Sequence, residues 1–474
     1  KSPEAHLEDG KALLQKSDYK AALLELKSAL QAQPNNKDAR LLLAETYLTT
    51  QAYAEAEKEF RKAKELGAAP EKVLPGLAKA LNQLGTPEKV LALKAADSGL
   101  TGASLAALLA NHAEALFKLG KADEARATLT QAQQAAPKQP DVLFLLARLA
   151  ASEKKPDLAH QYLDQALSDS PRFFDAFYLK AAVFEADAKS DEAIATYAKV
   201  TALDDKAFRA HLAVSDIQFR RNKNEEGLKA LQAAEKAAPN APLVRYARGI
   251  YELRNNNLKA ANEALLDVLK VAPDYLPAQL ANAIVNLGLG NLEQSLKSAQ
   301  LVLAKQPDNA MAGRVVAASQ LKSGDAKLAL ATLTPLLKSH PRDAQLLALA
   351  GEAHLQNKDY QHALTSLQQA EVLDPSNPEI KNRQAASLMA LGQTDLAIAE
   401  LQQSAQLSDK GSRADLALIS LHLQRKEFDK ALVAINAPDK KIPGSAFAHN
   451  LRAAALLGKQ DRAAARQSLE KALS

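Results

Sequence analysis

The chain has 474 residues, of which 47% are hydrophobic and 24% charged, and it is rich in the strong helix formers Ala and Leu. Its formal net charge of +5 is too dilute to argue for nucleic acid or a membrane surface. The absence of cysteine excludes disulfides, thiolate metal sites and a Cys nucleophile, and no apolar run is long enough to span a bilayer.

Read from the start, one motif recurs. Gly10, Ala22 and Pro34 open it, and Ala44 and Ala56 repeat the first two 34 residues on. Ala78 follows in phase, but Ala113 lies 35 residues beyond it, so one residue is inserted between them. From there the spacing holds at 34 through Pro137, Pro171, Pro239, Pro273, Pro307, Pro341, Pro375 and Pro443, with Asp205 and Asp409 in the two slots these prolines skip. Twelve residues before each slot stands a small residue: Ala125, Ala159, Ala193, Gly227, Ala261, Ser295, Ala329, Ala363, Ala397 and Ala431, then Ala465. A third ladder twelve residues further back runs from Ala113 through Ala147, Ala181, Ser215, Gly249, Ala283, Ala317, Gly351 and Ala385 to Ala453, and only Ile419 breaks it.

Each unit therefore predicts two antiparallel helices that approach closely where the small residues meet. Large apolar residues fill the seam: Leu26, Phe60, Leu129, Leu163, Tyr197, Leu231, Leu265, Leu333, Leu367, Leu401, Ile435 and Leu469. The proline ends the second helix, because it lacks the N–H that a helix interior needs. Gly85, Gly120, Gly290, Gly324 and Gly392 share one position, where the first helix ends in a left-handed cap. Asp18, Asn257, Asn291, Asp325 and Asp359 follow as expected N-caps of the second helix. Units start near residues 3, 37, 71, 106, 140, 174, 208, 242, 276, 310, 344, 378, 412 and 446. That makes fourteen units and about twenty-eight helices, grouped as 1–105 (units 1–3), 106–275 (units 4–8) and 276–474 (units 9–14) along one continuous solenoid.

The 34-residue period with its small–small–Pro spacing resembles the tetratricopeptide (TPR) family along essentially the whole chain. The position that is often Trp in that family is mixed here (Arg40, Leu143, Phe177, Arg245). The resemblance implies an all-α, right-handed superhelical solenoid with a concave groove. A narrower resemblance starts at Ser2. The stretch SPEAHLEDGKALLQKSDYKAALLELKSALQAQPNNKDARLLLAETYL, and FRKAKELGAAPEKVLPGLAKALNQLG after it, are similar to mature TPR-repeat lipoproteins of the PEP-CTERM system. Such proteins are exported by Gram-negative bacteria and accompany exopolysaccharide and exosortase loci. They carry an N-terminal lipidated Cys, which this chain lacks, and they are usually longer; both departures suggest a fragment. The C-terminal DRAAARQSLEKALS is amphipathic, and Ser474 falls inside the last second helix.

No enzyme, cofactor or metal site is expected. There is no Gly-rich phosphate loop and no H-E-x-x-H among the nine His, and no Ser, His and Asp stand in a nucleophile context. His354 and His362 read as surface or seam histidines, and Asp204–Asp205 and Glu225–Glu226 as solvated caps. In the family, positions 2, 5, 9 and 13 of the first helix face the groove. Mapped onto this chain, they single out Phe144, Arg148, Tyr178, Arg209, Arg220, Tyr246, Arg254 and Arg314, of the residue types that concentrate binding energy. Twelve of the 21 Phe and Tyr lie between Phe144 and Tyr251, although Phe173, Phe174 and Phe177 also suit packing between units. The expected partner is a protein, bound as an extended peptide or an amphipathic helix, with a polysaccharide stacked on Tyr and Phe as a lesser choice. Nucleic acid is not expected, and membrane contact only through the missing lipid anchor. The resemblance implies a periplasmic, outer-membrane-associated adaptor in exopolysaccharide export or PEP-CTERM sorting. The alternatives are a cytoplasmic co-chaperone or assembly adaptor, and the TPR region of a larger polysaccharide-secretion protein.

Overall fold

The computed structural model describes residues 1–94, 99–407, 413–441 and 446–473. Two rungs of the proline ladder, Asp409 and Pro443, lie outside the described residues, as does Ser474. Within them the protein has twenty-eight helices and no strand.

The helices pair as fourteen hairpins. The first helices are α1 (Pro3–Gln15), α3 (Lys37–Thr49), α5 (Pro70–Gln83), α7 (Gly102–Lys118), α9 (Pro140–Ser152), α11 (Phe174–Ala186) and α13 (Phe208–Arg220). They continue as α15 (Pro242–Arg254), α17 (Leu276–Leu289), α19 (Ala310–Lys322), α21 (Ala344–Gln356), α23 (Pro378–Ala390), α25 (Arg413–Gln424) and α27 (Ala446–Gly458). The second helices are α2 (Tyr19–Ala32), α4 (Tyr53–Glu65), α6 (Pro87–Leu91), α8 (Ala122–Ala135), α10 (Pro156–Asp169), α12 (Ser190–Leu203) and α14 (Asn224–Ala237). These are followed by α16 (Leu258–Val271), α18 (Leu292–Lys305), α20 (Ala326–Ser339), α22 (Tyr360–Leu373), α24 (Thr394–Gln406), α26 (Phe428–Lys441) and α28 (Arg462–Leu473).

The prolines and the cap glycines end their helices as the sequence predicts. The second helices before Pro137, Pro171, Pro239, Pro273, Pro307, Pro341 and Pro375 all stop two residues short of the proline. The five glycines of the first-helix cap have φ between 70° and 83°. The same turn is left-handed in the other nine hairpins, where the residue is Ser17, Gln51, Lys154, Ala188, Asn222, Asn256, Lys358, Lys426 or Gln460. A reverse hydrogen bond closes it, as from Lys155 N to the Ala150 carbonyl at 2.9 Å.

The N-caps are partly different from expectation. Asp18 and Asp359 accept from the backbone of Ala21 and His362, but Asn257, Asn291 and Asp325 make no side-chain cap bond. Asn257 donates to Glu252 Oε2 at 2.8 Å and Asn291 to Asn286 Oδ1 at 3.1 Å, so both amides turn back toward the preceding helix. Side-chain caps instead appear on first helices, at Ser2, Asn36, Asn309, Asp343 and Asn377.

The ladders form the core. Leu26, Phe60, Leu129, Leu163, Leu231, Leu265, Leu333 and Leu367 are all but fully buried. A Cβ added at Gly249 would lie 2.8 Å from Leu265, and one at Gly351 2.5 Å from Leu367, which is why that rung stays small. Ile419 is nonetheless buried, packed with Ala431 and Ile435. Leu469 departs from expectation: it is 42% exposed. The third hairpin is irregular where the extra residue falls. Its second helix, α6, is only five residues long, and α7 begins at Gly102, four residues before the expected start of its unit.

The hairpins gather into two compact units, Lys1–Ala238 and Pro239–Ser474.

Candidate functional site

Each first helix spends one stripe on its hairpin partner and others on the hairpins beside it. Positions 2, 5, 9 and 13 share the remaining face, since residues three and four apart stack along a helix.

In the first compact unit this face forms a real surface. Phe144 and Arg148 line a cavity of about 230 Å³ together with Lys79, Ala110, Glu114 and Asp175, drawn from four successive first helices. Arg148 is exposed and has no ion-pair partner among the described residues. Phe144 is half-buried with its ring 5.3 Å from that of Phe173, so part of its surface serves packing between hairpins. Phe177 is buried in the next interface, as its alternative reading expected. Tyr178 is half-buried, its ring 5.9 Å from Tyr197. Burial raises the Tyr178 phenol above its ordinary value, and the nearby charge of Arg209 offsets part of the rise. Tyr197 is raised further, first by burial and then by Glu185, whose carboxylate accepts its hydroxyl at 3.1 Å. Arg209 is exposed and unpaired among the described residues. Arg220 is tied to Glu185 at 2.5 Å and Asp216 at 2.9 Å.

In the second compact unit Tyr246 sits edge-on to Tyr275 at 5.4 Å and is half-buried. Burial raises its phenol, Tyr275 adds to the rise, and the Arg254 charge opposes it. Arg254 itself is exposed, with no ion-pair partner among the described residues. Arg314 donates to Asp343 and, at 2.7 Å, to Gln345 Oε1. The eight residues thus sort into three aromatics half-used in packing, two neutralised arginines and three free ones.

The sequence reading missed an aliphatic band. Leu243, Tyr246 and Ile250 of α15 and Pro277, Leu280 and Ile284 of α17 occupy the same positions, and all but Leu243 line one cavity of about 300 Å³. Met311 and Ala318 of α19 lead into a second cavity of about 300 Å³. The signal is present in the sequence: Leu243, Ile250, Leu280 and Ile284 stand at positions 2, 5 and 9 of two successive first helices. A recess of about 940 Å³ between α24, α25 and α26 was also unforeseen; there His422 bonds Glu427 at 2.7 Å. His354 and His362 stack at 5.5 Å over Asp359, which caps α22. No helix among the described residues is long and apolar enough to cross a membrane.

Tetratricopeptide-repeat family models match the chain over residues 13–80 and 116–183, and over 178–242, 246–310 and 317–378. The chain belongs to the tetratricopeptide repeat family. No curated protein matches it in sequence. Among solved structures, it is similar to a chain of the APC/C hetero-tetramer Cut9-Hcn1, at 16% identity and a TM-score of 0.47, over 100% of this chain and 97% of that one. It is similar to a tetratricopeptide repeat protein from Parabacteroides merdae, at 17% identity and a TM-score of 0.39, over 52% and 98% of the two chains. It is also similar to MamA from Desulfovibrio magneticus, at 20% identity and a TM-score of 0.33, over 35% and 94%. Repeats of this family suggest a protein–protein interaction scaffold, and the fold typically serves without catalysis.

Proposed function

We propose that the chain is a non-catalytic adaptor that holds segments of partner proteins on its first-helix face, in the periplasm at the outer membrane, within exopolysaccharide export or PEP-CTERM sorting. The binding part of this reading is carried by one observation. Groove positions of successive hairpins line shared cavities and leave Arg148, Arg209 and Arg254 exposed, with no ion-pair partner among the described residues. Arginine on a rim beside aromatic surface is a common anchor of protein partners. Compartment and pathway are supported by the opening sequence alone.

The test is affinity capture from a periplasmic extract. Replacing Arg148, Arg209 and Arg254 together by Glu is expected to cut recovery of specific partners by about ten-fold or more. Full recovery by the triple variant would make this face the wrong surface. The compartment is checked in the DNA just upstream: a signal peptide ending in a lipobox cysteine is expected, and a cytoplasmic start there refutes the periplasmic assignment.

A further inference from the structure

The aliphatic band of the second compact unit has a surface chemistry of its own. Leu243 and Met311, at its two ends, are 40% and 43% exposed. The cavity between α15 and α17 is lined by no charged side chain; beyond the Tyr246 hydroxyl its polar side chains are Gln306 and Asn309. Beside Met311, Arg314 is neutralised by Asp343 and Arg383 by Glu352. Two cations remain free at the border. Arg254 and Lys322 hold position 13 of α15 and α19, are exposed, and have no ion-pair partner among the described residues. Each stands about one helical turn past position 9, so both lie along the same edge of the band.

These facts constrain an occupant. An extended peptide would bring one unpaired N–H and one C=O per residue onto a surface with almost nothing to bond them, and unpaired groups buried there are costly. An α-helix satisfies its own backbone. Its diameter of about 10 Å matches the roughly 10 Å from position 2 to position 9 along a first helix. Two free cations on one edge favour carboxylates facing them.

We infer that this band receives an amphipathic α-helix of a partner protein, apolar toward α15, α17 and α19 and acidic along the edge beside Arg254 and Lys322. The inference rests on the first-helix face being the binding face, and it adds the form and the sign of the occupant.

Three synthetic peptides of about 16 residues, or about 24 Å as helix, test it by fluorescence anisotropy on the full chain. The first is helical, with Leu on one face and Glu along one edge. The second carries Lys in place of Glu. The third has the composition of the first but central prolines that prevent a helix. The Glu peptide is expected to bind about ten-fold tighter than either of the others, and the gap to the Lys peptide should shrink as salt is raised. Arg254→Glu with Lys322→Glu is expected to reverse the preference between Glu and Lys peptides. Leu243→Asp with Met311→Asp, at exposed positions, is expected to weaken the Glu peptide about ten-fold with the circular dichroism unchanged. Failure of the Glu peptide to bind, equal binding of the Glu and Lys peptides, equal binding of the proline peptide, or no reversal in the charge-swapped chain overturns the inference. If sign and helix make no difference while Leu243→Asp with Met311→Asp abolishes binding, the face stands and the inference alone falls. If that pair changes nothing, the face falls with it.

Discussion

The left-handed residue between the two helices of each hairpin shows how far a repeat will override local preference. Nine of the fourteen are not glycine, and Ala188, at φ 58°, is the plainest case, since its methyl group offers no compensating bond. A non-glycine residue there costs about 1–2 kcal/mol relative to its relaxed conformation. The turn survives because the helices on both sides over-determine it, with Lys189 N bonding the Phe184 carbonyl at 2.8 Å. Ala188→Gly removes the strain but loosens the unfolded chain, and a net gain of about 0.5–1 kcal/mol is expected by denaturant unfolding. A loss of stability would mean that Ala188 contributes packing that its exposure does not show.

At the scale of the element, the third hairpin is where regularity yields. The short α6 leaves little helix to pack against α7, and the imidazole of His112 on α7 is buried beside the backbone of Leu93 and Val90. Its Nε2 is buried without an acceptor among the described residues, so a second proton there would have nothing to bond. Burial accordingly lowers the His112 pKa below the ordinary imidazole value of 6.5, outweighing the raising effect of the Leu93 and Val90 backbone. As pH falls the unfolded chain takes the proton first. Stability from this group is therefore complete above about pH 6.5 and is lost as pH drops through the folded value. Acidification from about pH 7.5 to about pH 5 is expected to lower the unfolding temperature of the native chain more than that of His112→Gln, and to speed amide exchange in residues 87–91. Equal responses from the two chains would remove His112 from the account.

For the whole molecule, the division between Ala238 and Pro239 matters more than its length. Each compact unit buries its own hydrophobic clusters, around Phe60, Leu129 and Tyr197 in one and around Leu265, Leu333 and Leu401 in the other. In a repeat array stability is close to a sum of hairpins and nearest-neighbour interfaces, so each unit keeps the hairpins and interfaces within it. Residues 1–238 and 239–474, produced separately, are each expected to be helical by circular dichroism and to unfold cooperatively. A fragment that stays unfolded alone would show that its hairpins need the other unit.

Much of this architecture was legible in the residues. Each hairpin meets the same surroundings as the one before it, so a rung that must be small, as at Gly249 against Leu265, must be small in nearly every unit, and the period becomes visible. The free and the bound members of the candidate face could not be told apart in the same way. Arg220 is held by Glu185, 35 residues away on the neighbouring hairpin, while Arg254, at the same position of the next hairpin, has no ion-pair partner among the described residues. Residues that look like surface by type are also interior: Asn282 and Asn286 are buried and bonded to each other, and Lys381 is 4% exposed among Glu371, Glu400 and Gln403. The hairpin, the proline stop of its second helix and its packing seam were readable residue by residue, because these depend on contacts within one period. Which side chains remain available to a partner was decided only by tertiary structure, because that depends on what three or four hairpins set side by side leave uncovered.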